Sequence, residues 1–257
     1  MTRSDRQTYG VRMTDALEST EPLPDPEVIE HEHPDVTGGW LRPAVFGAMD
    51  GLVSNFALMM GVVGGSNTDT KPIVLAGLAG LAAGAFSMAA GEYTSVASQS
   101  EFALAQVEIE REEILAHNAA ETAELAAMYV EKGVEEDVAR EMAEQIHRDP
   151  EQAVRVHARE EFGVDIDDLA SPYLAAGSSF ISFAIGALIP LLPYLVGVSS
   201  PWPAVVISLF ALFGCGAVVT RITERSWWFG GIRQLLLGGT AAGLTYLVGE
   251  AVGRSLG

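Results

Sequence analysis

Five ionisable residues, Glu110, Glu113, His117, Glu121 and Glu124, follow one another at spacings of 3, 4, 4 and 3. On an α-helix those intervals put all five on one stripe. Like charges so spaced repel and weaken the helix unless a cation neutralises them. The chain's own bases do not: Arg111 is the only Lys or Arg between Glu101 and Glu131. Downstream, His157, Glu160 and Glu161 crowd a segment that can fold back beside the first. Carboxylates with an imidazole suit hard to borderline divalent cations such as Fe²⁺, Mn²⁺ or Zn²⁺. The competing reading is a solvated acidic face, the usual meaning of a Glu-rich helix. Registry on one stripe and the shortage of bases bring ligation level with it.

A second set lies in apolar surroundings. Asp50 stands about two turns into a hydrophobic segment, followed by Ser54 and Asn55. A carboxylate at that depth is costly and reads by default as functional, with pairing or capping as its competing role. Met88 and Glu92, four apart, place a thioether and a carboxylate on one helix face, and sulfur favours softer transition metals over Mg²⁺ and Ca²⁺. Met88 alone would read as core packing. Weaker candidates are His31 and His33 beside Glu32, the aromatic run Trp227, Trp228 and Phe229, the lone Cys215 and Glu250 near the end of the last apolar segment.

The elements that must position these groups follow from composition. The 257 residues have a mean hydropathy of +0.24 yet a formal net charge of −19. Segregation reconciles the two. Residues 1–40 carry nine acids and three bases, residues 101–171 carry twenty acids and six bases, and the rest carries five acids and six bases. The uncharged remainder reads as membrane. Acidic extramembrane parts exclude a nucleic-acid partner, because phosphate contacts need clustered Lys and Arg. A single cysteine excludes a disulfide framework. The N-terminus has no apolar signal region and reads as a disordered acidic tail. There is no nucleophile–base pair, Walker loop or dinucleotide fingerprint, so neither an enzyme, nor a prosthetic cofactor, nor ATP-driven pumping is expected.

Five segments are long and apolar enough to span a bilayer, each about 20 residues. They run from about Ala44 to Gly65, Ile73 to Ala97, Tyr173 to Val198, Trp202 to Thr220 and Ile232 to Val252. The expected fold is an all-α membrane protein with a three-helix acidic insert between spans two and three. The domain boundaries are a tail at 1–40, two spans in 41–98, the insert at 99–171 and three spans in 172–257. Arg221, Arg225 and Arg233 mark the loop between spans four and five as cytoplasmic, which puts the N-terminus and the insert on the same side. Arg254 votes weakly against this orientation. Gly77, Gly80 and Gly84, Gly61 and Gly65, and Gly239 and Gly243 permit close helix approach, within a bundle or in a dimer. Pro190 and Pro193 predict a kink in span three.

Within the insert, helical periodicity runs from Glu101 to Val130, with Gly133 as a stop. A second helix fits Glu135 to His147. Asp149, Pro150 and Glu151 supply a cap, a first-turn proline and a first-turn acid for a third that ends at Gly163. No breaker separates span two from the first insert helix, so one long helix, or two nearly continuous ones, should leave the bilayer.

The run AVFGAMDGLVSNF from Ala44 to Phe56, with GAFSMAAGEYTSVASQ from Gly84 to Gln99, resembles the vacuolar iron transporter family. The similarity covers about residue 40 to the C-terminus. It implies a five-span homodimer that exports Fe²⁺, and often Mn²⁺, from the cytosol in exchange for protons. By position, Asp50 and Met88 match the family's intramembrane metal-handling residues, and Glu92 lies in the matching GEY. Glu110, Glu113, Glu121, Glu124 and Glu161 match glutamates that hold metal in a cytosolic domain. Two departures stand out. His157 and Ala158 replace a methionine pair of plant relatives, and Pro43 falls where some relatives carry a second acid. The expected location is a bacterial plasma membrane. Two other classes fit the residues: a membrane-anchored carboxylate di-iron protein, though its E-x-x-H spacing is missing, and a metal sensor or store without transport.

Overall fold

The computed structural model describes residues 39–66, 69–222 and 226–256. The acidic tail, with His31 and His33, and Arg225 lie outside the described residues. The described chain is helical, without a strand among those residues. The order is α1 (Leu41–Gly65), α2 (Thr70–Glu131), α3 (Glu136–Ile146), α4 (Pro150–Glu161), α5 (Pro172–Leu188), the short α6 (Leu192–Leu195), α7 (Trp202–Ile222) and α8 (Trp227–Leu256). Among them are five helical stretches long and apolar enough to cross a membrane. The protein is an all-α, multi-pass membrane protein.

Helix α1 is the hub of the bundle. It packs against α5 and α8, and less extensively against α2 and α7. Small residues make those crossings close. A side chain on Gly51 would meet the Phe183 backbone of α5, and one on Gly249 would meet the Gly61 backbone of α1. The α1–α8 seam therefore uses Gly61, Gly64 and Gly65 against Gly249 and Gly253. Of the pair singled out by spacing in span five, a Cβ on Gly239 would make only an ordinary contact with Leu209, and one on Gly243 would face open space. Leu52, Phe56, Leu212 and Ala242 form one buried cluster between α1, α7 and α8. Many large apolar side chains on the spans, such as Leu75, Phe86, Ile181, Phe210 and Leu236, point outward, as a lipid-facing surface requires.

Local signals set the breaks. Pro190 and Pro193 end α5 at Leu188 and force a 3₁₀ turn, Ile189–Leu191, before α6. Asp149 caps α4 by accepting from the Glu151 N–H at 3.0 Å, with Pro150 in the first turn. Gly163 and Gly133 follow α4 and α2 at φ +65° and +96°, left-handed values that glycine adopts without strain.

Helix α2 is one continuous run of 62 residues with a kink at His117, whose φ of −130° and ψ of 37° leave the helical region. The five-residue stripe therefore bends in its middle. Beyond the spans, Val107 and Ile114 of α2 pack on Ala153, Val154 and Ala158 of α4, with Ile146 and Ile166 at the margin. That layer folds α4 back along α2.

Candidate metal sites

Glu110 lies between Val107 and Ile114 on the buried face of α2, so the packing that buries its neighbours also buries it. It is 7% exposed, and His157 on α4 is fully buried. One turn further along α4 stands Glu161. One ligating atom from each of Glu110, His157 and Glu161 falls within 4.8 Å of the others. His157 Nδ1 is 2.8 Å from Glu110 Oε1. The alignment is not that of a hydrogen bond, and Glu110 Oε1 and both His157 nitrogens are buried without a partner. Buried polar atoms are rarely left so, because each forfeits its hydration.

The electrostatics follow from this crowding. Burial, and then the charges of Glu161, Glu121 and Glu124, push the Glu110 carboxyl up to about 7. Burial and the same two neighbours raise Glu161, partly offset by a hydrogen bond from Glu110. Burial and then the nearby His147 push His157 down to about 4, so its imidazole is neutral at pH 7. A neutral nitrogen and two carboxylates that repel each other are a donor set a divalent cation relieves. Among the described residues no Lys or Arg pairs with Glu110 or Glu161. Arg111 pairs with Glu108 and Glu151, and Lys132 pairs with Glu160.

The remaining stripe residues stand apart from the triad. Glu113 and His117 are exposed and joined to each other at 2.7 Å. Glu121 and Glu124, beyond the kink, act on Glu110 and Glu161 through their charge. His147, absent from the ligands singled out by sequence, is buried at the end of α3, its ring edge-on to His157 with centroids 5.1 Å apart. It stands outside the spaced stripe, so only the folding-back of α3 and α4 brings it close.

On one face of the bundle, Asp50, Ser54, Asn55 and Met88 line a single open cleft of about 270 Å³, together with Leu58, Gly80, Gly84, Ser87 and Phe183. The fold thus joins four of the five intramembrane residues singled out by sequence; Glu92, a turn beyond Met88, is outside that lining. Ser54 donates to the Asp50 backbone carbonyl at 2.6 Å. Asn55 is committed to structure as well: its Nδ2 donates to the Ala187 carbonyl of α5 at 2.6 Å. Its buried Oδ1 keeps no partner. Gly80 and Gly84 leave space where side chains would meet Asn55 and Phe183.

A family model described as the VIT family matches residues 41–250. A protein of Acanthamoeba castellanii named vacuolar iron transporter is 38% identical over 202 residues, covering 79% of this chain and 71% of its own. Rice vacuolar iron transporter 1 is 29% identical over 228 residues, covering 86% and 90%. An Arabidopsis thaliana protein named vacuolar iron transporter homolog 1 is 32% identical over 221 residues, covering 82% and 84%. These relatives are named as transporters, not enzymes. The match spans both motifs, the insert and the three last spans, and the chain belongs to the VIT family, the vacuolar iron transporters.

Proposed function

We propose that this chain transports divalent transition metal, Fe²⁺ and with it Mn²⁺, out of the cytosol in exchange for protons. The observation that carries the reading is the Glu110–His157–Glu161 triad, in which Glu110 Oε1 and both His157 nitrogens are buried without a hydrogen-bond partner and the Glu161 carboxylate closes the group from its exposed side. Helix α2 runs unbroken from Met88 in the Asp50 cleft to Glu110 of that triad, its kink at His117 lying further on. The relatives named as iron transporters point the same way.

In this reading the insert is a cytoplasmic antechamber. Its twenty acids against six bases raise the local cation concentration at the mouth of the path. Glu110, His157 and Glu161 take the metal, while Glu113, Glu121 and Glu124 draw it in. Asp50, with Met88 and Ser54, then holds the ion within the bundle. An ionised Asp50 attracts the metal and a protonated one releases it, which couples export to proton entry. The half-buried carboxylate on a bundle surface is best covered by a second copy, and we read the working unit as a homodimer in a plasma membrane.

Reconstitution tests this. Proteoliposomes with an imposed pH gradient should move Fe²⁺ and Mn²⁺, and dissipating the gradient should abolish accumulation. Metal bound by the insert with no flux in either condition would reduce the protein to a sensor or store.

A further inference from the structure

We propose that His147 is a fourth ligand of the insert's metal site, and that the His147–His157 pair inclines this site toward the later first-row divalent ions. The inference rests on the reading that the insert binds metal and adds who else holds it.

His147 is 7% exposed. Its Nδ1 lies 2.9 Å from the Ala143 carbonyl oxygen. A carbonyl only accepts, so Nδ1 carries a hydrogen, and in the neutral ring Nε2 is the nitrogen that holds the lone pair. That Nε2 is buried without a partner. One ring nitrogen donating to a backbone carbonyl while the other stays free is the arrangement that fixes the tautomer of a metal-binding histidine. A histidine that served only to cap α3 would need the Ala143 contact and nothing more.

Its surroundings point to the same cation. The ring stands at 83° to that of His157, with centroids 5.1 Å apart. His157 is fully buried, and both its nitrogens lack partners. The Glu121 carboxylate interacts with His147 by charge. The two imidazoles stand side by side; Glu110 and Glu161 group with His157 within 4.8 Å, and His147 stands at the edge of that group, one ring away. Carboxylates alone suit Mn²⁺, whereas each imidazole added favours Co²⁺, Ni²⁺ and Zn²⁺.

The test uses the full-length protein, purified metal-free and given one equivalent of Zn²⁺. X-ray absorption should show two imidazoles on the metal in the wild type and one in His147→Gln. Zn²⁺ affinity should fall by about tenfold or more in the variant, while Mn²⁺ affinity changes far less. The wild-type spectrum is decisive even if the variant folds poorly: one imidazole or none overturns the proposal. Two imidazoles in a folded His147→Gln overturn it too, by placing the pair elsewhere. Wild-type protein that binds no Zn²⁺, Fe²⁺ or Mn²⁺ removes the underlying metal reading, whereas binding with one imidazole removes only the role of His147.

Discussion

Replacing Glu110 with Gln separates what the site costs the fold from what it offers a metal. The folded value of about 7 stands above the ordinary 4.5 for this carboxyl. Between those two pH values the folded chain keeps a proton that the unfolded chain has released, so stability falls as pH rises through the window. At about 1.4 kcal/mol per pH unit, the buried Glu110 charge costs on the order of 3 kcal/mol above pH 7. Glutamine never ionises, and its amide can donate to Glu161 as the Glu110 proton does. Glu110→Gln should therefore unfold at about the wild-type temperature near pH 4.5. At pH 8, with chelator present, its midpoint should be higher by about 6 °C, at roughly 2 °C per kcal/mol. His157 runs the other way, adding stability as pH rises from about 4 to 6.5; it is present in both proteins and drops out of the difference. The assay is tryptophan-monitored thermal unfolding of the full-length protein in detergent. The same variant should bind divalent metal far more weakly. A variant no more stable than wild type at pH 8, or equally shifted at both pH values, refutes the reasoning.

Other expectations follow from the same geometry. Metal binding needs Glu110 ionised while His157 is already neutral, so apparent affinity should fall by up to about tenfold per pH unit below pH 7, with proton release visible as buffer-dependent heats in calorimetry. Asp50→Ala should reduce Fe²⁺ uptake into inside-out vesicles to background without loss of the folded protein; undiminished uptake removes Asp50 from the path. Gly249→Leu forces a side chain into the Gly61 backbone and should destabilise by about 2 kcal/mol or more, whereas Gly243→Ala, facing open space, should be neutral or gain up to about 1 kcal/mol from helix propensity. Thermal midpoints of the two variants check the contrast. Asn55→Leu should loosen α1 from α5 by about 1–3 kcal/mol, since the Ala187 carbonyl loses its donor.

The helices were legible in the sequence because their signals are local. Hydropathy over some 20 residues marks a span, Pro190 and Pro193 break α5, and Asp149–Pro150 with Gly163 frames α4. Spacing also placed Asp50, Ser54, Asn55 and Met88 as candidates, and one cleft holds all four. Spacing could not tell which acids of the stripe are buried. Five residues in helical register look alike until α4 lies along α2, and then Glu110 is enclosed while Glu113 stays in water. The bend at His117, the approach of His147 to His157 and the use of Gly249 rather than Gly243 share this origin. Periodicity fixes which way a side chain points from its own axis; only the helix that arrives opposite decides whether it loses its water, and with it its charge state and its readiness to take a metal.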